Sequence, residues 1–354
     1  MSNKSEQYFE NIHPAFAGFR RENLFSCFSA LCETGVMTRA DLAAATDLSI
    51  MTTGKIADAM IECGILSEEK HPCAGAGRRP GTIRFVAKPM FLILNVSSRR
   101  FSAHVLSPSL QCKEICAHDY NDIFPFDDNL LIFLNAVRRG CNATKEGLPY
   151  LAVITAPEQD KRQSITRSLD VSPRSAKHMI EYISKIMRRE CDLVIDEITA
   201  AQHYFSSLSQ YKNAECGAFI CLSDMTYAAV WMRGNLLNPR VCRIGELLMT
   251  DHKRIANALA DAFCTEDAIK PTAYAISSLE TFFTPDCIVL ESNRFYIDET
   301  YLEGVYRALA HILPTERRTI PLYIADAEPC AAVCGCASLL RRKWFYVITG
   351  LQAQ

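Results

Sequence analysis

The sequence lacks any apolar run that could cross a lipid bilayer, which takes about 18 residues. Its longest apolar stretches, Met90–Leu94 and Leu130–Leu134, have the size of a core strand and a core helix. The first ten residues are polar and contain no apolar segment like that of a secretory signal. We therefore expect a cytoplasmic protein with no membrane partner.

Sixteen cysteines occur, yet no Cys-x-x-Cys pair is present. Disulfide scaffolds are typical of small secreted chains, and this chain has 354 residues and no export signal. Several cysteines, such as Cys216 and Cys287, occupy positions where a small apolar residue would fit. The cluster Cys330, Cys334 and Cys336 lies in a segment typical of a small-residue helix, so we expect it to pack rather than to bind a metal.

An excess of positive charge is also missing. The chain has 38 Lys and Arg against 40 Asp and Glu, and residues 1–88 contain ten of each sign. A nucleic-acid partner can therefore be predicted only from local arrangement. The hydrophobic content of 49% excludes a disordered chain, and the length predicts two or three domains.

The first ninety residues contain the signals of a helix-turn-helix. An apolar stripe over 21–33 predicts a helix that ends at Gly35. Thr38 and Asp41 resemble a capping box that starts a second helix over 39–46, and Ser49 is a good N-cap for a third helix that runs to about Cys63. A short turn between the last two helices is typical of DNA-binding modules.

A predicted hairpin follows, with strands over 65–68 and 82–86 and a long tip rich in Gly, Pro and Arg. This arrangement is typical of a wing, and arginine at a wing tip suits the narrow minor groove of DNA. The alternative is a three-helix module that binds a protein partner and no DNA. The residues predicted to contact DNA are Ser49, Met51, Thr52, Lys55, Arg78 and Arg79.

From residue 91 onward, strand triplets are followed by alternating helices and strands, which indicates an α/β fold with mixed sheets. The pattern starts at Phe91 and again at Ala218, so we expect two similar lobes with a cleft between them. The predicted domains are 1–88, 89–196 and 197–354, with the last helix returning to the first lobe. Predicted helices cover 128–139, 174–190, 197–208, 252–263, 272–282, 300–313 and 329–345.

A family resemblance is carried by Arg39-Ala40-Asp41-Leu42-Ala43, Leu48-Ser49 and Gly77-Arg78-Arg79-Pro80. With the order winged helix, then two-lobed body, the chain resembles the ROK family of bacterial repressors and sugar kinases. The resemblance covers nearly the whole chain and is closer in the DNA-binding half. It implies a winged helix-turn-helix followed by an actin-like, sugar-kinase-like (ribonuclease H-like) body.

The resemblance also locates three phosphate-binding turns, in which glycines let backbone N–H groups approach ATP. The family's Asp-x-Gly-Gly-Thr matches 95–99, where the chain reads Asn-Val-Ser-Ser-Arg. Its Gly-Thr-Gly-x-Gly matches 223–227, which reads Ser-Asp-Met-Thr-Tyr, and a later Gly-Gly matches Glu291-Ser292. All these glycines are replaced, so we expect no use of ATP, no cofactor, no catalytic residue and no enzyme activity.

The sugar side is altered as well. The family's Asn-Asp pair, which contains the catalytic Asp, matches Asp196-Glu197, and its Gly-Glu-x-Gly-His element matches 245–249, where Met249 replaces the zinc-binding His. The Cys-rich zinc loop is absent and Cys264 stands alone, so we expect no zinc. Asp196, Glu197 and Glu246 are candidates for binding a sugar; the alternative is that they are remnants or belong to surface ion pairs.

These observations predict a DNA-binding transcriptional regulator, a repressor, that acts as a homodimer or tetramer on a double-stranded operator. A sugar or sugar phosphate is the expected effector. The two alternatives are an active ATP-dependent sugar kinase and a protein-interaction scaffold that does not bind DNA.

Overall fold

The N-terminal part, which we call the head, combines three helices with a small antiparallel sheet. In the computed structural model, residues 14–69, 81–97, 100–143, 150–156, 176–208, 211, 214–222, 226–233, 235–236, 243–262, 264–292, 294–313, 320–326 and 330–351 are described. The head comprises a 3₁₀ turn at Pro14–Phe16, helices α1 (Arg21–Thr34), α2 (Arg39–Thr46) and α3 (Ile50–Glu62), and strands β1 (Val36–Thr38), β2 (Leu66–Glu69) and β3 (Thr82–Phe85).

Local signals determine where the head helices begin. The capping box is present: Thr38 accepts from the Asp41 N–H, and the Asp41 carboxylate accepts from the Thr38 N–H. Asp47 ends α2 in the left-handed region with φ 54°, as the predicted tight turn requires. The sheet order is β1-β3-β2. Strand β1 was not predicted, because three residues are too few to show an alternating pattern.

The first five-stranded sheet has the order β6-β5-β4-β7-β8, in which β4 is antiparallel to β5 and parallel to β7. Its helices α4 and α5 follow β6 and β7 along the chain, so the sheet is mixed as predicted. Its elements are β4 (Phe91–Asn95), β5 (Arg100–Leu106), β6 (Cys112–Asp119), α4 (Phe126–Ala143), β7 (Tyr150–Thr155), α5 (Ala176–Met187), β8 (Leu193–Asp196) and α6 (Glu197–Ser207).

The second five-stranded sheet has the order β11-β10-β9-β12-β13, again with an antiparallel hairpin beside a parallel pair. This repeats the arrangement of the first sheet and agrees with the two lobes expected from the sequence. Its elements are β9 (Cys216–Leu222), β10 (Tyr227–Met232), β11 (Asn235–Leu236), α7 (Ile255–Ala260), α8 (Thr265–Phe283), β12 (Cys287–Ser292), α9 (Glu299–Ile312), β13 (Leu322–Ile324) and α10 (Ala331–Thr349).

Several predicted helix ranges in the body were wrong at their ends, among them 128–139, where α4 covers Phe126–Ala143. The helix predicted over 272–282 begins at Thr265, because Pro271 lies buried inside it instead of preceding it. The helix predicted over 252–263 is reduced to six residues, Ile255–Ala260. The last helix runs to Thr349 rather than to residue 345, and Gly350 ends it in the left-handed conformation.

Helices α6 and α10 cross at unusually short distance. A Cβ on Gly335 of α10 would lie 1.8 Å from the carbonyl oxygen of Ala200 in α6, so only glycine permits this crossing. Helix α10 also lies against β4 and β7 of the first sheet. Both helices begin near the region between the two sheets, which places their N-termini at the same site.

The far end of α10 packs into the head. The Trp344 ring lies 4.8 Å from Phe28 and 5.0 Å from Phe85, and Phe345 lies 5.2 Å from Phe28 (ring centroids). Together with Leu24 and Leu31 these side chains are buried in one apolar core that continues along α10 to both sheets. Among the described helices, none combines the length and the apolar character that a bilayer span requires.

Candidate functional site

Helix α3 presents one face to the head core and one to solvent. Ser49 caps it: its Oγ accepts from the Thr52 N–H at 3.1 Å and lies 2.9 Å from the Thr52 Oγ1. This cap begins the helix at Ile50, which determines which residues point outward. The buried stripe is Thr53, Ile56, Ala57, Ala59 and Met60.

The predicted DNA contacts on α3 fall into two groups. Met51 and Lys55 are exposed and lie one turn apart, so they share a face of the helix. Ser49 and Thr52 bond to each other in the cap, although Ser49 remains exposed. Arg78 and Arg79 lie outside the described residues. Sequence reasoning missed Ile50, which is exposed beside Met51, because an isoleucine next to a cap is usually read as core.

Arg39 connects the elements around α3. Its guanidinium is 2.6 Å from the Asp58 carboxylate and 3.2 Å from the Glu68 carboxylate, and it donates to the Gly54 carbonyl at 3.1 Å. These bonds join α2, α3 and β2. Asp58 lies on the exposed side of α3, and its carboxylate is engaged by Arg39.

A second group of polar residues lies where the two sheets meet, and we call it the cleft cluster: Asn95, Ser97, Glu197, Tyr227 and Glu291. At the end of β4, the Asn95 Oδ1 accepts from the Ser97 N–H at 3.1 Å and from the Ser97 hydroxyl at 2.6 Å. The turn that follows this strand is therefore closed by its own side chains. The rest of the predicted turn, 98–99, lies outside the described residues.

Glu197 is the first residue of α6 and hydrogen-bonds to Ser97. Asp196 is the N-cap of this helix and accepts from the Thr199 N–H at 2.9 Å. Burial raises the pKa of Glu197 to about 7, and the nearby charges of Glu291 and Asp196 act in the same direction. The hydrogen bond between Ser97 and Glu197 lowers this pKa in part.

Glu291 lies at the end of β12 and reaches the start of α10. Its Oε1 accepts from the Ala331 N–H at 3.1 Å, so a carboxylate of the chain itself occupies the anion position at this helix N-terminus. Burial raises the pKa of Glu291, while the bond from Ala331 lowers it.

Tyr227 occupies the start of β10 and is buried. Burial raises the pKa of its phenol above the usual range; Arg243 opposes the shift, and the carboxylates of Glu197 and Glu246 add to it. The structure thus brings Glu197 and Glu246 to the surroundings of one phenol. Residues 223–225 of the predicted second turn lie outside the described residues.

The three candidates for sugar binding are not equally available. Glu246 forms an ion pair with Arg254 at 2.7 Å. Asp196 is engaged as a helix cap. Glu197 combines a half-buried position between the sheets with a hydroxyl neighbour, and it neither forms an ion pair nor caps a helix in the way that the other two do.

The cysteine cluster consists of buried or half-buried thiols on α10 and at its N-cap. Burial raises the pKa of Cys330 and of Cys334 to about 12, and it also raises that of Cys336. Since the thiolate is the metal-binding form, these thiols act as small apolar groups. Within the described ranges, no group of three or more His, Cys, Asp or Glu could hold a metal ion.

An apolar surface cavity of about 380 Å³ lies apart from these residues, between the turn at Ile244–Glu246 and the end of α8. The exposed rings and side chains of Leu247 and Phe282 contribute to its wall. It contains none of the residues predicted to bind DNA or sugar.

No protein-family profile matches this sequence, and no curated protein matches it. Several solved structures, in contrast, match this chain. A ROK family transcriptional regulator, a homologue of the E. coli MLC protein, superposes with a TM-score of 0.59 over 93% of this chain and 98% of its own, at 12% identity. A ROK family glucokinase from Streptomyces griseus, in complex with glucose and AMPPNP, gives 0.53 over 72% of this chain and 99% of its own, at 10% identity.

A third structure, the inorganic polyphosphate/ATP-glucomannokinase from Arthrobacter sp. strain KM, gives a TM-score of 0.53 over 72% of this chain and 99% of its own, at 13% identity. At such identities the likeness is one of fold. It confirms the predicted fold class and the resemblance to the ROK family. The regulator's larger coverage shows that its likeness to this chain extends beyond the part shared with the kinases.

Proposed function

We propose that this chain is a ROK-type transcriptional repressor that binds double-stranded DNA through α3 and the wing. The observation that carries the proposal is the solvent face of α3: a cap-defined helix in a winged helix-turn-helix, with Met51 and Lys55 outward. The fold likeness to a ROK regulator over 93% of the chain supports it. We retain Ser49, Met51, Thr52, Lys55, Arg78 and Arg79 as the proposed DNA contacts.

Selection of duplexes from a random library by the purified full chain tests this function. We expect an enriched, roughly palindromic sequence and a loss of affinity when Arg78 and Arg79 are both replaced by Ala, because these side chains suit the minor groove. Binding without sequence preference at moderate salt, unchanged in the double variant, would contradict the proposal. It would favour the alternative of a head that binds a protein partner.

We further propose that the body does not use ATP and is not an enzyme. Ser97 and Glu291 occupy positions that match two glycine-rich phosphate turns, and Glu291 fills the anion position at the start of α10. The Glu291 carboxylate would repel a phosphate there, because two negative charges at close range destabilise each other. Hexose-dependent formation of ADP from ATP, with the sugar phosphate as the second product, would revive the kinase alternative, which the fold likeness to ROK kinases keeps open.

The remaining parts of the proposal concern assembly and effector. Two-fold symmetry would place two copies of α3 in major grooves one or more helical turns apart, so we propose a homodimer or tetramer. We also propose that the protein is cytoplasmic and that its domains are 1–88, 89–196 and 197–354. A sugar or sugar phosphate in the cleft, held by Glu197 with Asp196 and Glu246, would shift the balance between DNA-binding and non-binding arrangements. Thermal shifts with sugars test this effector, because ligand binding stabilises the fold.

If no sugar raises the melting temperature, or if the rise is the same in Glu197→Ala and Glu246→Ala, the cleft is not the effector site.

A further inference from the structure

The first turn of α3 exposes two large apolar side chains side by side. Ile50 is 68% exposed and Met51 is 72% exposed. Burying an isoleucine or methionine side chain stabilises a protein relative to leaving it in water. An adjacent pair left in solvent on a cap-defined helix therefore indicates a surface that meets a partner.

The position of the pair follows from the helix period. Met51 begins the outer stripe that continues through Lys55, four residues later. Ile50 precedes the buried Thr53 by one turn but lies beyond the edge of the head core, where no core residue covers most of its surface. The two side chains thus extend from the N-terminal end of the helix.

The charges around this turn suit a nucleic acid better than an apolar protein surface. The helix begins with a neutral hydroxyl cap at Ser49, so the positive end of its dipole is left without a capping carboxylate. Lys55 adds a positive charge on the same face. Asp58 is farther along, and Arg39 holds it at 2.6 Å.

The major groove offers one apolar feature of matching size, the C5-methyl group of thymine. On the basis of these observations we propose that Ile50 and Met51 contact thymine methyl groups and thereby determine sequence specificity. This inference rests on the proposed DNA-binding function and names the base feature that the helix reads. It adds Ile50, which the sequence prediction had left out, to the recognition surface.

The test replaces single thymines by deoxyuridine in the duplex that the full chain selects from a random library. This change removes one methyl group and leaves every hydrogen-bonding atom in place. We expect affinity to fall about three- to fivefold at one or two thymines of each half-site, as expected for one buried methyl group. The same change at the remaining thymines should have no effect.

Two variants link the effect to the side chains. In Met51→Ala and in Ile50→Ala, the thymine and deoxyuridine duplexes should bind equally at the position that each side chain contacts. Ile132→Ala is the matched control, because Ile132 is an exposed apolar residue on α4 of the body, 45% exposed. This variant should keep the full preference for thymine.

The outcomes are distinct. If a duplex is selected but deoxyuridine is tolerated at every position, the inference is wrong while the DNA-binding function stands. If both variants retain the thymine preference of the unaltered chain, other residues read the methyl group and the inference is again wrong. If no duplex is enriched at all, the proposed function itself fails, and the inference fails with it.

Discussion

The start of α3 in the head and the starts of α6 and α10 in the body differ in the charge of the group that satisfies them. Helix α3 is capped by the Ser49 hydroxyl. Helix α6 is capped by the Asp196 carboxylate, and the first N–H of α10 is bound by Glu291. Since helix N-termini attract anions, the carboxylates at α6 and α10 fill a position that α3 leaves to a neutral group. A phosphate could therefore approach the N-terminus of α3, whereas carboxylates of the chain already occupy the N-termini of α6 and α10.

The largest change in the free energy of unfolding is expected from Glu197→Gln, at the start of α6. In the folded chain burial raises the pKa of Glu197 to about 7, whereas an unfolded glutamate titrates near 4.3. Stability from this group is present at low pH and is lost as pH rises through 7, because the folded state holds the proton longer. The neutral variant should therefore be more stable than the unaltered chain by about 2–3 kcal/mol at pH 8.

Urea unfolding at pH 4 and pH 8 measures this difference. At pH 4 the two proteins should have similar midpoints, since Glu197 is then protonated in the folded state and largely protonated in the unfolded state. Glu62→Gln, an exposed change on α3, is the control and should move neither midpoint. Parallel pH profiles for Glu197→Gln and the unaltered chain would show that the cleft carboxylate is not desolvated.

The second effect concerns the crossing that holds α6 and α10 together. In Gly335→Ala the new Cβ would overlap the Ala200 carbonyl oxygen, so the helices must separate, at a cost of about 1–3 kcal/mol. Gly140→Ala on α4 is the matched control, because its Cβ would meet Ile115 at an ordinary 3.7 Å. The control should be neutral or stabilise by up to about 1 kcal/mol. Equal urea midpoints for both variants would contradict the close crossing.

The smallest effect is expected at the head. Ser49→Ala removes the cap of α3 and should lower stability by about 1 kcal/mol at every pH, since the hydroxyl does not titrate. Ser49→Asp restores a cap and makes the start of α3 resemble that of α6. Its stability should match the unaltered chain, while its DNA affinity should fall because an anion then faces the phosphates. If Ser49→Asp bound DNA with undiminished affinity, the charge at the start of α3 would not matter for DNA binding, and the contrast between α3 and α6 would have no functional consequence.

The starts of α2 and α3 in the head were predictable because their signals are local. Thr38 with Asp41, and Ser49 with Thr52, lie within three residues of each other, so the same atoms meet in almost any tertiary setting. For the body, the two mixed sheets were predictable from the sequence, but the ends of several helices were not. Pro271 inside α8 shows why: its burial against neighbouring elements offsets the lost hydrogen bond, and no local pattern reports that burial.

The candidate site shows the same difference between features with a local signal and features that depend on tertiary packing. Met51 and Lys55 could be placed outward from helix periodicity alone, since 51 and 55 share a face. The exposure of Ile50 could not, because it depends on where the head core ends. The pairing of Asp58 with Arg39 could not be predicted either, because it depends on how α2 packs on α3.

By itself, the sequence determined the order of most elements and the capped starts of α2 and α3. The tertiary structure alone decided which polar groups meet at the starts of α6 and α10. Glu291 lies forty residues before the N–H that it binds at Ala331, and Glu197 meets a strand end a hundred residues earlier, at Ser97. Contacts over such separations leave no periodic trace in the chain, because they arise only when packed sheets and helices bring distant segments together.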